Sequence, residues 1–530
     1  EELHKVLRLT GPLLLSRLLN FLLKFTTTIF CGHIGNAELA GYALASVTIN
    51  VTTAATGLGL VVACDTLFSQ TFGSKNMKRV GVILQRSLLI LLLFCLPCWA
   101  LLINCYNILL LMHQQEQVAR MAHHYVMIYL PAVPTMLLYH LQVAYLQNQG
   151  ITLPQMYAAA AANVFNLAAN YVLIFSFQLG VTGSAIANSL SDIVTCLLLY
   201  GYIRWKKVHG PTWGGWSTEC LQEWGSHMKL AIPSACMLCF EWWIWEVGSI
   251  LAGILGEMEL AAQHVIVEIG AITYMFPLGV HAAACVCIGN ALGAGNTAKA
   301  IVICKVVLAL SGVMSVAQGT ALACSKSVVG YIFTSDENIL AMVSETLTVY
   351  IFLQFFDALL CVSTGIFIGS GMQTLVALSN LVCYYVIGLP VGIALMFAAK
   401  LGILGLWLGF FICAFLQTGF FLGLIYKMDW KEVTRKAQQR SGKKVAPDSV
   451  TEALVPETKT PGLKAERAEV DNNVTPSTAA GEAERSKTKS GEPPPLLSPT
   501  QLLLRRGLTL LVLVVILAAG VALHVAFPVP

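Results

Sequence analysis

Charge is scarce in this sequence. Only 11% of its 530 residues are Asp, Glu, Lys or Arg, while 56% are hydrophobic. A water-soluble domain carries about 25% charged residues, so this chain has too little polar surface to cover itself in water. That shortage excludes a soluble enzyme, a secreted disulfide scaffold and a nucleic-acid module. The net charge of +4 is small for the length and implies no polyanionic partner. H-E-x-x-H, G-x-S-x-G and G-x-x-x-x-G-K-[ST] are missing, and with them the usual devices for metal-assisted hydrolysis, acyl transfer and ATP-driven pumping. The expectation is a chain that is not an enzyme and needs no cofactor. Sixteen cysteines are present, but they sit mostly in apolar runs. The C-x-x-C pairs Cys95/Cys98 and Cys236/Cys239 lack further ligands at zinc spacing, so they read as small hydrophobes and no metal is expected.

Long apolar runs, by contrast, are plentiful. A helix needs about 20 mostly apolar residues to cross the hydrocarbon core. Thirteen candidate spans fall near 10–31, 40–63, 81–104, 121–147, 155–177, 181–203, 228–252, 260–286, 301–322, 339–368, 374–398, 402–426 and 503–525. They are too long and too uniformly apolar for barrel strands. The fold class is therefore all-α, a polytopic membrane protein. Prolines such as Pro131, Pro134, Pro233 and Pro277 lie in or at the ends of spans, where a bilayer tolerates them if neighbouring helices satisfy the freed carbonyls.

Cations cluster in alternate connections: Lys75, Lys78 and Arg79, then Arg204, Lys206 and Lys207, then Lys299 and Lys305, then Lys427 to Lys436. The positive-inside rule places these connections and the N-terminus in the cytoplasm, and the C-terminus outside. Residues 428–502, rich in Lys, Glu, Ser, Thr and Pro, read as a disordered cytoplasmic linker before an additional helix at 503–525. Asn473 begins an Asn-Val-Thr glycosylation sequon, but on a cytoplasmic linker it is expected to stay unmodified.

The chain repeats itself. LTGP ending at Pro12 matches LAIP ending at Pro233; TFGSKNMKR around Gly73 matches ALGAGNTAK around Gly293; LGVTG from Leu179 matches LGILG from Leu401. One offset, near 221 residues, serves all three, which makes a duplication. Two six-helix lobes are expected, at 1–205 and 228–427, joined by a cytoplasmic loop at 206–227. An even number of spans returns the chain to its starting side, so the lobes are related by a pseudo-two-fold axis along the membrane normal. A duplicated bundle with no pathway is the competing reading, and intramembrane charge weighs against it.

Glu241, Glu246, Glu268 and Asp357 are the informative acids, all in the second half, whereas Arg17, Asn20 and Lys24 form a stripe on the first helix at i, i+3, i+7. Glu241 and Glu246 lie about 140° apart on a straight helix. Between them runs EWWIWE; its tryptophans suit an organic cation or, alternatively, an aromatic belt at the membrane surface. Desolvation favours the neutral acid and a bound cation the carboxylate, and that competition is the basis of proton/cation antiport. Asp357 has a structural alternative as a hydrogen-bonded acid, and for Asp65 the structural reading is preferred. His140, His264 and His281 carry no motif.

The segments CGHIG, ACDTLFSQTFGS, VGVILQRS, TWGGWS, EWWIWEVGS, GNALGAG, GYIFT and GLWLG resemble the animal multidrug and toxin extrusion (MATE) transporters over nearly all of residues 1–436. That resemblance implies two six-helix lobes, a central cavity, export of organic cations in exchange for protons, and a place in the plasma membrane. It implies substrate contacts at Glu241, Trp242, Glu246, Asn50 and Tyr274, and proton coupling at Glu268, Asp357 and Glu241. Arg17 and Lys24 are possible cavity cations. Departures from the family pattern are Cys287 and Ile368 where arginine is usual, Arg17 for glutamine, Trp245 for tyrosine or phenylalanine, and Gln354 for histidine. A monomer driven by the proton gradient, with small organic cations and the bilayer as partners, is the main expectation. The alternatives are a flippase or transporter of zwitterionic or lipid-linked solutes, and a weakly active paralogue in which arginine restored at Cys287 and Ile368 would raise transport.

Overall fold

A computed structural model describes residues 1–443 and 495–529. Backbone polar groups have no partner in hydrocarbon, so a spanning segment must satisfy them internally, and every element described is helical. The first lobe runs α1 (Glu2–Ile34), α2 (Asn36–Ile49), a π-helical turn Asn50–Ala54, α3 (Ala55–Gly73), α4 (Met77–Ile103), α5 (Cys105–Leu111), α6 (Glu116–Tyr129), α7 (Ala132–Gln147), α8 (Leu153–Tyr171) and α9 (Val181–Trp205). The second runs α10 (Trp224–Leu255), α11 (Glu257–Gly293), α12 (Thr297–Ser325), α13 (Glu337–Ser370), α14 (Gln373–Asn380), α15 (Leu389–Ile393) and α16 (Ile403–Lys427). Two further helices follow, α17 (Trp430–Arg440) and α18 (Pro499–Ala526).

Twelve of these stretches are long and apolar enough to span a bilayer, with α2 and α3 forming one, and the α6–α7 pair makes a thirteenth bent by 59°. Pro131 and Pro134 sit at that bend, where a missing N–H and a clashing ring break the helix.

The second half is built like the first. Gly150 and Gly371 have φ near 80°, Gln178 and Lys400 near 55°, and Gly180 and Gly402 near 63°, each pair separated by the same offset seen in the sequence. The lobes meet where α3 crosses α11, and the contact is reciprocal. A Cβ on Gly73 would lie 2.1 Å from the Asn290 carbonyl oxygen, and one on Gly293 would lie 1.9 Å from that of Gln70. Gln70 and Asn290 are equivalent positions in the two halves, so the local two-fold passes through this crossing. Small residues at such a crossing let two backbones approach closely. Further bonds close the same end: Gln70 Nε2 donates to the Gly369 carbonyl at 2.9 Å, and Gln373 Nε2 donates to Thr66 Oγ1 at 2.5 Å.

This sealed end is also the basic end. Arg79 pairs with Glu223 at 3.0 Å and Arg86 with the same carboxylate at 3.6 Å. Part of the expected linker belongs to the fold here. Asp429 caps α17 by accepting from the backbone N–H groups of Lys431 and Glu432. From its far end Arg440 donates to Gln70 Oε1 at 3.5 Å and to the Ser370 carbonyl at 3.3 Å, while Asn76 donates to the Ser441 carbonyl at 3.1 Å. Residues 430–440 are therefore an ordered helix stapled across both lobes, which corrects the expectation of disorder from residue 428. The physical reason is that the helix is polar on average yet lays one stripe, Trp430, Val433, Thr434 and Ala437, on the core, so composition alone hides a docking that the helical period carries. The stretch 444–494, with Asn473, lies outside the described residues.

The start of α18 is sharply defined. Ser498 and Gln501 form a capping box with Pro499 at the first helical position, a combination that fixes a helix start. Leu497 exchanges two hydrogen bonds with the Gln222 side chain, and the Arg506 guanidinium sits 4.3 Å from the centre of the Trp224 ring. Along its length α18 buries only Leu502 and Gly520; Gly520 rests against Ala100 of α4.

Candidate functional site

The expected site residues fall into two polar centres rather than one. The first is a cavity of about 330 Å³ within the first lobe, lined by Arg17, Asn20 and Lys24 of α1, Asn50, Tyr129 of α6, Tyr139 and His140 of α7, Asp192 of α9 and Trp242 of α10. The 3.6-residue period of α1 puts Arg17, Asn20 and Lys24 on one face, as their spacing predicted. Asn50 opens the π turn, and a π turn widens the helix and leaves carbonyls for outside partners. Trp243 uses one, its indole N–H donating to the Val51 carbonyl at 3.1 Å across the two lobes.

Asp192 is the acid that the sequence reading missed. Tyr129 donates to Asp192 Oδ2 at 2.5 Å, and Lys24 acts on the carboxylate through space without a direct ion pair. One turn earlier, Asn188 accepts from Thr27 at 2.9 Å and from Asn166 at 2.8 Å and donates to Tyr125 at 2.6 Å. Buried amides must be satisfied in this way, and the network locks α9 against α1, α6 and α8. The signal was present in the sequence: Asn188, Asp192 and Thr195 recur at i, i+4, i+7 within an apolar run. The first lobe therefore holds an acid as well as cations, which corrects the assignment of every informative acid to the second half.

The second centre lies between α10, α11 and α13. Tyr274 donates to Glu241 Oε1 at 3.0 Å, and Asp357 is within electrostatic reach of both. Glu241, Tyr274 and Asp357 are thus brought together, each half-buried. Glu246 and Glu268 are half-buried too, but among the described residues no hydrogen bond or ion pair joins them to that group. Glu268 instead acts through space on Tyr42, which lines the first cavity. α10 is continuous through Pro233, so the two acids of EWWIWE lie on different faces, as on a straight helix. Trp242 faces the first-lobe cavity, Glu241 faces α11, and Trp245 packs at a tilt on Trp407 and edge-on to Phe410 in the second-lobe core, with ring centres 5.7 and 5.4 Å apart.

Other departures prove structural. Gln354 Nε2 donates to the Ser315 carbonyl at 2.7 Å and ties α13 to α12. Asp65 accepts from Gln147 at 3.0 Å and Asn148 at 2.8 Å, in keeping with its structural reading. Cys287 and Ile368 are 1% and 2% exposed, so an arginine restored at either would enter a packed core. A gain in transport from that restoration is no longer expected. His281 bonds the Cys361 carbonyl at 2.8 Å, and His264 is exposed.

Comparison with known proteins agrees with this architecture. The MatE family model matches the chain twice, over residues 12–172 and 233–394, once per lobe. The chain is 48% identical to multidrug and toxin extrusion protein 1 of Danio rerio, covering 99% of this chain and 90% of that one. It is 47% identical to the Homo sapiens protein of the same name, covering 98% and 93%. Its fold is similar to the crystal structure of the eukaryotic MATE transporter AtDTX14, with a TM-score of 0.79 and 28% identity over 83% of this chain and 99% of that one. An outward-facing MATE transporter of the MOP superfamily, 17% identical with a TM-score of 0.73, shares the fold. With two matched lobes and near-complete coverage by its relatives, the chain belongs to the MatE family of multi-pass membrane transport proteins.

Proposed function

We propose that this protein is a secondary active transporter that exports organic cations in exchange for protons by alternating access. The observation that carries this reading is the reciprocal α3–α11 crossing: two equivalent lobes are sealed against each other at one end, with polar groups beyond the seal. Such an interface has two discrete packings rather than a continuum, so rocking about it exposes a central site to either side in turn. Glu241, Tyr274 and Asp357 form the coupling group, where carboxyls exchange a proton against a bound cation. Trp242 and Asn50 contact the solute, and Glu246 and Glu268 extend the acidic path. The proton gradient is the energy source.

The basic end faces the cytoplasm, by the positive-inside rule, so the seal closes the cytoplasmic side. The plasma membrane is its site. The test is uptake of tetraethylammonium into proteoliposomes under an outward proton gradient. Gradient-stimulated uptake is expected, and Glu241→Gln abolishes the stimulation; uptake indifferent to the gradient would defeat the reading.

A further inference from the structure

Two histidines far apart in the sequence meet at the end of the molecule remote from the seal. His123 lies on α6 and His524 in the last turn of α18, with ring centres 5.7 Å apart and ring planes tilted by 31°. His123 is 8% exposed. In each ring the Nδ1 atom is buried without a hydrogen-bond partner. The polar groups nearby are engaged otherwise: His124 bonds the Thr182 hydroxyl at 3.0 Å, and Glu116 is held by Arg120 at 2.8 Å and by the Tyr106 hydroxyl. Tyr106 also packs edge-on against His123, with 6.2 Å between ring centres. Aromatic packing accounts for faces and edges of rings, but it does not satisfy a ring nitrogen. A buried polar atom in that state calls for a water or an ion.

Little else holds α18 at this end. Asn104 donates to the Gly520 carbonyl at 2.9 Å and Asn107 to the Phe527 carbonyl at 3.2 Å, while most of the helix is exposed. Imidazole nitrogen suits zinc, copper and nickel, whereas magnesium and calcium take oxygen ligands. With Zn–N bonds of about 2.0–2.1 Å and tetrahedral angles, two imidazoles on one ion have ring centres roughly 5–6 Å apart. The observed separation lies in that range, so rotation of the two rings completes the site without movement of either helix. Among the described residues no group of three or more His, Cys, Asp or Glu could hold a metal ion. Water therefore fills the remaining positions, and the ion exchanges readily. The expectation of no metal came from cysteine spacing, which does not record a pair brought together from α6 and α18.

We propose that His123 and His524 form a bridging site for a divalent transition-metal ion of the zinc type, which clamps the end of α18 to the first lobe. Neither residue takes part in the transport reading, and the site stands or falls independently of it.

The experiment titrates zinc into the purified full chain and reads bound metal, melting temperature and hydrogen–deuterium exchange of residues 517–529, with magnesium as the control ion. His524→Phe keeps a ring against His123 and removes both nitrogens, so it separates metal binding from aromatic packing. Because Cys324 is exposed and can bind zinc itself, the result is the difference between wild type and variant. Wild type is expected to bind one more zinc ion than His524→Phe. At zinc about ten times above the dissociation constant, opening of that segment is suppressed about tenfold in wild type alone, and magnesium has no effect. His123→Ala loses the same ion. Equal zinc content in wild type and His524→Phe overturns the proposal and leaves water as the partner of the two nitrogens. Zinc that binds without slowing exchange of residues 517–529 overturns it as well. Should His123→Ala show no melting transition, His524→Phe decides alone, since His524 is half-buried on a helix that buries little.

Discussion

Substituting Gly293 with alanine tests how the two lobes close. In the closed state its added Cβ would lie 1.9 Å from the Gln70 carbonyl oxygen, against 3.4 Å for an ordinary contact, so the backbones of α3 and α11 must part by about 1.5 Å. The Gln70 atoms that the Cβ meets all belong to backbone, so no rotamer change relieves the contact. Overpacking of this kind costs about 1–3 kcal/mol, and the cost falls on the closed state alone. A bias of that size moves a two-state equilibrium about 5- to 150-fold. Alanine in a helix interior is otherwise favourable by about 1 kcal/mol over glycine. Gly312 supplies the control, because a Cβ there meets nothing within 4 Å. Hydrogen–deuterium exchange of segments 70–76 and 290–296 is the assay. Gly293→Ala should raise exchange in both segments and lower the melting temperature, whereas Gly312→Ala leaves exchange unaltered and melts slightly higher. Wild-type exchange and a raised melting temperature in Gly293→Ala would refute the reasoning.

Other outcomes follow from the same structure. Glu223→Gln removes the partner of Arg79 and Arg86, and should lower stability by about 1–3 kcal/mol because Arg86 is left buried and unpaired; a melting temperature equal to wild type counts against it. Burial pushes the Cys220 thiol up, whereas Cys324 is exposed, so a maleimide at neutral pH should add first to Cys324, as read by peptide mass mapping. Rapid labelling of Cys220 would contradict its placement. The Arg435 side chain holds the Glu432 carboxyl below its ordinary value, helped by Lys436. A depressed acid stabilises above its unfolded pKa and loses that contribution as pH falls through the folded one. Exchange protection of residues 430–440 should therefore weaken below about pH 4.3, the ordinary glutamate value, and Glu432→Gln should remove that dependence.

Much of this protein was legible before any coordinates. Scarcity of charge and the length of the apolar runs determined a multi-span helical chain, because transfer into hydrocarbon depends on composition within a window. A single offset between LTGP and LAIP, or between Gly73 and Gly293, exposed the duplication. The stripe Arg17, Asn20, Lys24 was readable because residues three and four apart on one helix share a face whatever surrounds it. Only the tertiary structure decided how helices rotate against one another. It turned Glu241 to Tyr274 and Trp242 to the other lobe, although they are adjacent in sequence. It brought Asp192 to Tyr129 and Lys24, and laid α17 across the seal. Those pairings join positions up to several hundred residues apart, and the energy that selects them lies in packing and hydrogen bonds between helices, which no local pattern records.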